Sequence, residues 1–336
     1  MLGIDIGTRF TKICKIVEDK HSNKISIASG MSMTYLDNAT NQKNSIERIL
    51  KSIGITSKEA SFCTIEEKDI ISRDINLPKG IDQENLDSAV TLAVEQSLTE
   101  NLSKMLHSYT VTREISETEN NILFMAVPKT KIFQRMKELS GIFPINVVGV
   151  TSEMISLVNA FNFFAPVYKE TDTVVLVNIG DTNTNVVILN KKKIIFVKDV
   201  AFGGKHITKE ISDMYHVPER LAEEIKRRPE LWSSLGLNIR NILKRTAATL
   251  LEVIFELIEY CSTRQSILSV DRILLTGGGA SLHGIDFFVK DNLGMNTEKW
   301  NPFDNENIIG IENKDLGFFM PVALGLALEK VEEQHV

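Results

Sequence analysis

Short apolar runs separated by polar turns open the chain and then recur near its middle. Residues 2–6, 10–18 and 24–34 are rich in Ile and Val, which predicts three consecutive strands. A similar series predicts a strand at 173–179, a hairpin at 180–190 and a strand at 194–200. The hydrophobic pattern therefore predicts one strand arrangement that is used twice.

Apolar residues at helical spacing fill much of the remaining chain. The predicted helices are 43–54, 82–98, 129–140, 152–164, 203–215, one from Val217, 238–268, one from Ser281, and 317–333. The stretch 238–268 carries a wide apolar stripe, which indicates a core helix. Strands and helices together predict an α/β protein.

Residues 78–150 form a separate α+β unit in this pattern. The expected order is a helix near 82–98, strands near 105–114 and 121–127, a helix near 129–140 and a strand near 145–150. This βαββαβ-like order is typical of a small module. We expect the unit to be inserted into the first half of the chain.

Two glycine turns, in Leu2–Lys12 and in Val175–Asn185, have matching patterns. Each has an apolar strand, an Asp or Asn, an Ile-Gly step, a polar turn and a second strand. Consecutive backbone N–H groups in such a turn can surround phosphate oxygens, and glycine permits positive φ and close approach. A single copy is better explained as a plain tight β-turn. The second copy favours a phosphate site.

A third glycine turn, Gly277–Gly279, follows an apolar run and precedes Ser281, which is a favourable helix N-cap. It predicts close approach of a ribose or base, with a ligand-free loop as the alternative. Glu223 and Lys226 are three residues apart on a predicted helix and share a face. They could contact ribose and adenine, although spacing alone favours a solvated ion pair.

Length, charge and cysteine content exclude several classes of protein. The 336 residues suit two domains, and a net charge of −6 argues against nonspecific nucleic-acid binding. The three cysteines have neither disulfide nor metal-ligand spacing, which suits a reducing cytoplasm. Because no apolar stretch reaches roughly 18 residues, we expect no direct membrane insertion. Any work at a membrane would need a partner.

Taken in chain order, these motifs resemble the PilM family, the actin-like cytoplasmic ATPases of type IV pilus assembly, which are relatives of the division protein FtsA. The resemblance runs from Met1 to about Lys330. The matching segments are Gly3–Thr8 with Lys12, Ile75–Pro78, Ala126–Lys129, Val148–Val150, Asn178–Gly180 with Thr184 and Asn185, Ala222–Glu223 with Lys226, Gly277–Leu282, Asn301–Phe303 and Leu324–Ala327. It implies an actin-like ATPase (actin/Hsp70 superfamily) fold with two related halves and an inserted FtsA-type α+β subdomain.

The resemblance also implies a subdomain division. The expected parts are 1–77 (subdomain 1A with the first phosphate motif), 78–150 (inserted subdomain 1C), 151–170 (connecting helix of 1A), 171–202 (subdomain 2A with the second phosphate motif), 203–270 (the 2B region), 271–316 (return to 2A with the adenosine motif) and 317–336 (C-terminal helix returning to 1A).

By the same resemblance, the cleft holds ATP with Mg²⁺. The implied cofactor-binding residues are Gly7, Thr8, Arg9, Lys12, Gly180, Asp181, Thr182, Asn183, Thr184, Gly204, Glu223, Lys226, Gly277, Gly278, Gly279 and Ser281. Asp5 and Asn178 would meet the metal through water. Glu153 is the candidate for orienting a water molecule, with a carboxylate stabilised by the helix dipole as an equal alternative.

The implied partner is the short cytoplasmic tail of PilN, a single-span inner-membrane protein. In the family this tail lies in a groove between the first subdomain and the inserted module. The implied function is to link the inner-membrane platform to the cytoplasmic motor, and other platform or motor proteins are possible partners. The protein would be cytoplasmic and recruited to the inner membrane by its partner.

Asn178 departs from the family pattern, which usually has Asp at this position. A neutral amide cannot attract hydrated Mg²⁺ as a carboxylate does. Asp181 could substitute, but it also places negative charge near phosphates. We therefore expect nucleotide binding with slow or absent hydrolysis.

The same residues leave three other functional classes open. An FtsA-like filament protein would need a C-terminal amphipathic membrane helix, which the acidic end 332–336 does not provide. A metabolic kinase on the same fold would need a catalytic base, and none is evident near Gly180. A secretion-system paralogue would differ mainly in its partner.

Overall fold

The structure is a computed structural model that describes residues 1–19, 24–95, 98, 101–114, 118–142, 144–165, 172–264, 269–311 and 313–329. The strands in these ranges are β1 Leu2–Ile6, β2 Phe10–Asp19, β3 Lys24–Met33, β4 Glu59–Thr64, β5 Ile71–Pro78, β6 Met105–Glu114, β7 Glu119–Pro128, β8 Ile145–Thr151, β9 Thr173–Ile179, β10 Thr184–Asn190, β11 Lys193–Val200, β12 Arg272–Thr276, β13 Thr297–Lys299 and β14 Ile308–Ile309.

The α-helices are α1 Ala39–Ser52, α2 Gln83–Glu95, α3 Lys129–Ser140, α4 Glu153–Phe164, α5 Gly204–Tyr215, α6 Glu219–Arg227, α7 Pro229–Trp232, α8 Ile239–Thr246, α9 Ala248–Arg264, α10 Ile285–Leu293 and α11 Pro321–Leu328. The ends of the helices expected to reach 268 and 333, the linker 166–170, and the terminal residues 330–336 lie outside the described residues.

Two sheets have the same strand arrangement. The first runs β14-β3-β2-β1-β4-β8 and the second β11-β10-β9-β12-β13. In each, an antiparallel three-strand meander is followed by a parallel strand beside its first member. The sequence prediction of two related halves is confirmed.

Helices α4 and α11 lie between the two sheets. Their residues share one apolar core with the inner faces of β9 and β10, including Leu157, Leu176 and Leu324. A side chain at Gly325 would collide with the Ser156 backbone, so glycine permits the close crossing of these helices. Strand β9 is buried throughout, because helices cover both faces of its sheet. The carboxyl ends of β1 and β9 therefore meet across the central helices.

The inserted unit has its own small sheet, β5-β7-β6, and its own core with helix α2. Its edges differ from the expected order. Strand β5 already belongs to it, whereas β8 pairs in parallel with β4 of the large sheet. Leu139 of α3 joins the core of the first half. The expectation that the strand near 145–150 belongs to the unit was therefore wrong, because its apolar residues complete the large sheet.

Two predicted helices are interrupted. The stretch expected at 238–268 is divided after Thr246, whose hydroxyl donates to the Ile242 carbonyl at 3.0 Å. Such back-bonding bends helices. The expected helix from 317 begins at Pro321, after a short 3₁₀ turn, because proline suits a first helical position. Within the described ranges, no helix is long and apolar enough to cross a membrane.

Candidate functional site

A cavity of about 740 Å³ lies between the two halves, a volume within the range of small-ligand sites. It is bordered by residues that the sequence analysis singled out: Asp5, Gly7, Thr8, Arg9, Lys12, Glu153, Asn178, Gly180, Asp181, Thr182, Asn183, Gly204, Glu223, Lys226, Gly277, Gly278, Gly279 and Ser281. Residues from distant parts of the chain thus converge on one space.

Thr184 is the exception, because it lies outside the cavity lining. Its side chain is fully buried, and its hydroxyl donates to the Phe202 carbonyl at 2.8 Å. It therefore joins the second hairpin to the segment before α5 and does not face the cleft.

The first hairpin places a buried ion pair at the cavity. Asp5 is 2% exposed, and its Oδ2 lies 2.5 Å from Nζ of Lys12 on the facing strand. Its Oδ1 is buried and has no hydrogen-bond partner among the residues that the structure describes. Because a buried carboxylate oxygen is costly to leave unsatisfied, this atom marks a position for a water molecule or cation.

The two hairpins turn in the same way. Gly7 N–H donates to the Phe10 carbonyl at 3.1 Å, and Gly180 N–H donates to the Asn183 carbonyl at 2.9 Å. Neither glycine has positive φ, so that part of the sequence argument was wrong. A Cβ at Gly180 would lie 2.7 Å from the Asn183 carbonyl oxygen. Glycine is therefore needed at position 180 because the backbone of Asn183 approaches it closely.

The second hairpin carries amides where the first carries an ion pair. Asn178 Nδ2 donates to Asn185 Oδ1 at 3.0 Å. Asn185 Nδ2 in turn donates to Asp199 Oδ1 at 3.3 Å, and Asn183 Nδ2 donates to Asp199 Oδ2 at 2.8 Å. Desolvation raises the pKa of Asp199, against the lowering effect of the Asn183 hydrogen bond. A line of three polar side chains therefore crosses this end of the sheet.

Helix α5 begins against the second hairpin. Gly204 N–H donates to the Gly180 carbonyl at 2.9 Å, and Lys205 N–H donates to the Asp181 carbonyl at 2.8 Å. A Cβ at Gly203 would lie 2.5 Å from the Asp181 backbone. The glycine pair lets the helix start pack directly on the turn. The amide of Gly204 is already used by the protein in this state.

Glu223 and Lys226 form a buried pair, although spacing alone favoured a solvated one. Their charged atoms are 2.7 Å apart, and the side chains are 9% and 11% exposed. Lys226 Nζ also donates to the Gly204 carbonyl at 3.0 Å and to Thr208 Oγ1 at 2.9 Å. Sequence spacing could not reveal this burial, which results from α5 packing against α6.

The charge of Glu223 is strongly stabilised. Burial alone would raise its pKa, but Lys226, the Thr208 hydroxyl and Arg9 outweigh that effect and lower the pKa to about 2. Arg227 Nε adds a contact of 2.7 Å. Burial lowers the pKa of Lys226. The carboxylate is thus ionised across the physiological range and anchors a cationic cluster at the cavity wall.

Arg9 crosses the cleft between the two halves. Its Nη1 lies 3.1 Å from Glu223 Oε2 and 3.5 Å from Asp181 Oδ1, while its buried Nε has no hydrogen-bond partner in the described part of the chain. The Thr8 and Thr182 hydroxyls, at the tips of the two hairpins, are 3.4 Å apart. These contacts hold the hairpins together in this state.

The third glycine turn packs against protein as well as lining the cavity. Gly277 has φ of +86°, and a Cβ there would lie 2.5 Å from the Ile179 carbonyl oxygen. A Cβ at Gly278 would lie 2.6 Å from the Phe319 ring, and one at Gly279 would collide with the Ile179 side chain. Glycine is therefore required by protein contacts at this turn.

Ser281 does not cap a helix, contrary to the sequence prediction. It ends a short 3₁₀ turn, Gly278–Ser281, and its hydroxyl donates to the Gly278 carbonyl at 2.7 Å. Helix α10 starts only at Ile285, because Gly284 adopts a left-handed conformation that separates the two. Glu153 is the first residue of α4, behind the Ser152 N-cap, and borders the cavity.

Several cavity residues were missed by sequence reasoning. They include Asp199, Glu66, Lys68, His283 and Asp315. Asp199 lies on β11, directly opposite Asn185 on β10, so the strand register contained the signal. The other four lie on connections between elements, where hydrophobic periodicity gives no information.

Comparison with known proteins assigns this chain to a family. The model for "Type IV pilus assembly protein PilM" matches residues 3–331. A PilM–PilN type IV pilus biogenesis complex is similar in structure, with a TM-score of 0.79, 20% identity and coverage of 97% of each chain. The ethanolamine utilization protein EutJ from Carboxydothermus hydrogenoformans has a TM-score of 0.56 and 15% identity, over 97% of this chain and 88% of its own. The expected actin-like α/β fold is confirmed.

Proposed function

The chain belongs to the type IV pilus assembly protein PilM family, and from this we propose that it is an ATP-binding scaffold of pilus assembly. It binds the cytoplasmic tail of a PilN-like inner-membrane protein and links the membrane platform to the motor. It works at the cytoplasmic face of the inner membrane, where its partner recruits it. The expected subdomain division belongs to this proposal with two changes: subdomain 1C also contains β5, and β8 belongs to the first half.

The cleft has the groups that a nucleotide needs. The turns at Gly7 and Gly180 line the cavity, and the amides that follow the two bonded glycine N–H groups would meet phosphate oxygens. Lys12 and Arg9 are the nearby cations for the phosphates. Glu223 and Lys226 stand at the wall that would receive the ribose, and the Gly277–Gly279 turn would face the nucleoside.

A divalent cation also fits this cleft. Seven carboxylates and five lysine or arginine groups line the cavity, so a bound polyphosphate would add to an existing excess of negative charge. The unpartnered Oδ1 of Asp5 is the atom that fits a water of hydrated Mg²⁺. The cation would supply charge neutralisation. Among the described residues, no three acidic, His or Cys side chains are grouped to hold a metal directly, which favours contact through water.

We infer that hydrolysis is slow or absent. Asn178 is neutral, and its amide is engaged by Asn185. Glu153 is the cavity carboxylate at the start of α4, where the helix dipole already favours its charge. An ionised carboxylate that is stabilised in this way is a weak base for activating water. Nucleotide would therefore serve to hold the two halves in one arrangement.

The family match over residues 3–331 is the observation that carries the proposal. The solved complex in this fold contains PilM with PilN, which supports a PilN-like tail as the partner. It also favours pilus assembly over the filament and kinase alternatives. In our proposal the tail lies between the first half and the inserted unit.

Calorimetric titration tests this function. The full chain, loaded with ATP and Mg²⁺, is titrated with the synthetic cytoplasmic tail of the host's PilN-like protein, with a scrambled tail as the control. We expect saturable one-to-one binding of the native tail only. No binding at concentrations up to about 1 mM, which corresponds to a free energy weaker than about −4 kcal/mol, would contradict the scaffold function.

A further inference from the structure

The second hairpin lacks the carboxylate that its position suggests, and the next strand carries one. We propose that Asp199 supplies the second carboxylate for a hydrated divalent cation in the cleft, facing Asp5 of the first half. This inference rests on the proposed nucleotide site and names a further group that holds its cation.

Strand register places Asp199 in line with the hairpin. Asn178 on β9 is paired with Asn185 on β10, and Asn185 is paired with Asp199 on β11. Side chains of directly paired residues project from the same face of a sheet. Asp199 therefore faces the same side as the two amides and, like Asn178, borders the cavity.

Two amide donors fix the orientation of the Asp199 carboxylate without neutralising it. Asn183 Nδ2 bonds to its Oδ2 at 2.8 Å, and Asn185 Nδ2 bonds to its Oδ1 at 3.3 Å. Among the described residues, the Val200 backbone N–H also bonds to it, and the nearby charge of Lys198 favours its ionised form without an ion pair within 4 Å. A carboxylate that is held by neutral donors keeps its negative charge available for a cation.

The other candidates are otherwise engaged. Asp181, which the sequence analysis named as a substitute with unfavourable charge near the phosphates, lies 3.5 Å from the Arg9 guanidinium across the cleft. Asn178 donates its amide to Asn185, and its Oδ1 is directed toward Gly277, where an added Cβ would lie only 2.5 Å away. Neither group presents free negative charge to the cavity.

The first half provides an independent observation. Asp5 is 2% exposed, and within the described ranges its Oδ1 has no hydrogen-bond partner, while Oδ2 is held by Lys12. An unsatisfied buried oxygen on one wall and an oriented, unpaired carboxylate on the other suit an ion that keeps its water shell. Mg²⁺ has this property, because it dehydrates reluctantly and is held by few carboxylates.

The experiment compares four full-length proteins: wild type, Asp199→Asn, Asp213→Asn, and the double variant Asn178→Asp with Asp199→Asn. Asp213 is an exposed carboxylate on α5 that pairs with Lys209 at 2.8 Å, so it is a matched control outside the cleft. ADP affinity is measured by calorimetry in EDTA and in Mg²⁺. Mn²⁺ affinity of each ADP complex is measured by electron paramagnetic resonance.

We expect Asp199→Asn to weaken Mn²⁺ binding to the ADP complex by about tenfold, as for other groups that act on a metal through an intermediate ligand. ADP affinity in EDTA should not fall, and Asp213→Asn should match wild type. The double variant should regain part of the Mn²⁺ binding, about threefold, since it moves the carboxylate two strands inward.

Three results overturn the inference. One is Mn²⁺ binding by Asp199→Asn within twofold of wild type. Another is an equal loss of ADP affinity in EDTA, which would show that Asp199 only supports the hairpin. The last is failure of wild type to bind ADP in either condition, which would remove the proposed nucleotide site itself and the inference with it.

Discussion

The two glycine hairpins have the same backbone but different charges. Each has its glycine N–H bonded across the turn, and each pairs a polar residue on its first strand with one on its second. In the first half that pair is Asp5 with Lys12, a buried ion pair. In the second half it is Asn178 with Asn185, two neutral amides.

This difference shows that the fold fixes the position of a side chain while the sequence fixes its charge. The first hairpin has a neutralised carboxylate with one oxygen left over. The second keeps its hydrogen bonds, but its negative charge lies two strands away from Asn178, on Asp199. The two halves would therefore contribute unequally to stability and to cation binding.

Removing the polar residue on the second strand should give the largest difference in stability loss between the two hairpins. Lys12→Met would leave the Asp5 carboxylate buried without its cation and should lower the free energy of unfolding by about 3–5 kcal/mol. Asn185→Leu would leave the Asn178 amide and one oxygen of the Asp199 carboxylate without this partner. The free energy of unfolding should then fall by about 1–3 kcal/mol. Urea denaturation measures both. The double variant Asp5→Asn with Lys12→Met should recover much of the first loss, and equal losses for the two single variants would contradict the difference.

The buried carboxylate of the second half, Glu223, allows a test by pH. Glu223→Gln should cost about 2 kcal/mol near neutral pH, because Lys226 loses its counter-ion but keeps two hydrogen bonds. The neighbouring Glu224→Gln is the control, since Glu224 is exposed and 3.9 Å from Arg220.

The pH dependence of that loss has a defined sign. The pKa of Glu223 is lowered from 4.5 to about 2 on folding, so its contribution is full above 4.5 and declines as pH falls toward 2. The difference between wild type and Glu223→Gln, measured by urea denaturation, should therefore shrink from pH 6 to pH 3. A constant difference would argue against an ionised Glu223 in the folded state.

The two hairpin glycines should tolerate alanine differently. A Cβ at Gly180 would lie 2.7 Å from the Asn183 carbonyl oxygen, whereas one at Gly7 would lie 3.1 Å from Lys12 Nζ and 3.2 Å from the Phe10 carbonyl oxygen, so it needs a smaller shift. Gly180→Ala should therefore cost about 1–2 kcal/mol and Gly7→Ala less than about 1 kcal/mol. Thermal or urea unfolding of the two variants measures these losses. A larger loss for Gly7→Ala than for Gly180→Ala would show that close backbone approach does not set the cost.

Restoring the carboxylate to the second hairpin should have the smallest effect. Asn178→Asp adds charge to the cavity but removes the donor to Asn185. We expect the Mg²⁺ dependence of ADP affinity to rise by about threefold, since charges that interact through water gain less than about 1 kcal/mol. Calorimetry with and without Mg²⁺ measures it. A variant with no gain in Mg²⁺ dependence or ATPase activity would count against our interpretation of Asn178.

Much of the site was predictable because the motifs are local. The turns at Gly7, Gly180 and Gly277 were recognised from short patterns, and the structure brings them to one cavity. Asp199 was not, because it lies 14 residues beyond Asn185 and is joined to it only by strand register. The burial of Glu223 depends on how α5 packs against α6, which spacing within one helix cannot report.

The fold was predicted to a similar extent. Each half showed its three leading strands as separate apolar runs, so the meanders were clear. Strand β8 was assigned to the inserted unit because it follows that unit in the chain, but its partner is β4. Parallel pairing joins strands that are distant in sequence, and no local pattern marks which sheet receives them.

Hydrogen–deuterium exchange tests most directly whether the two hairpins act on one ligand. Exchange is followed at amides 7–11 and 180–184 in the full chain, without nucleotide and with saturating ATP and Mg²⁺. We expect ATP to slow exchange in both segments together, because both turns would face the same phosphates. Protection of only one hairpin, or of neither, would contradict a shared site between the two halves.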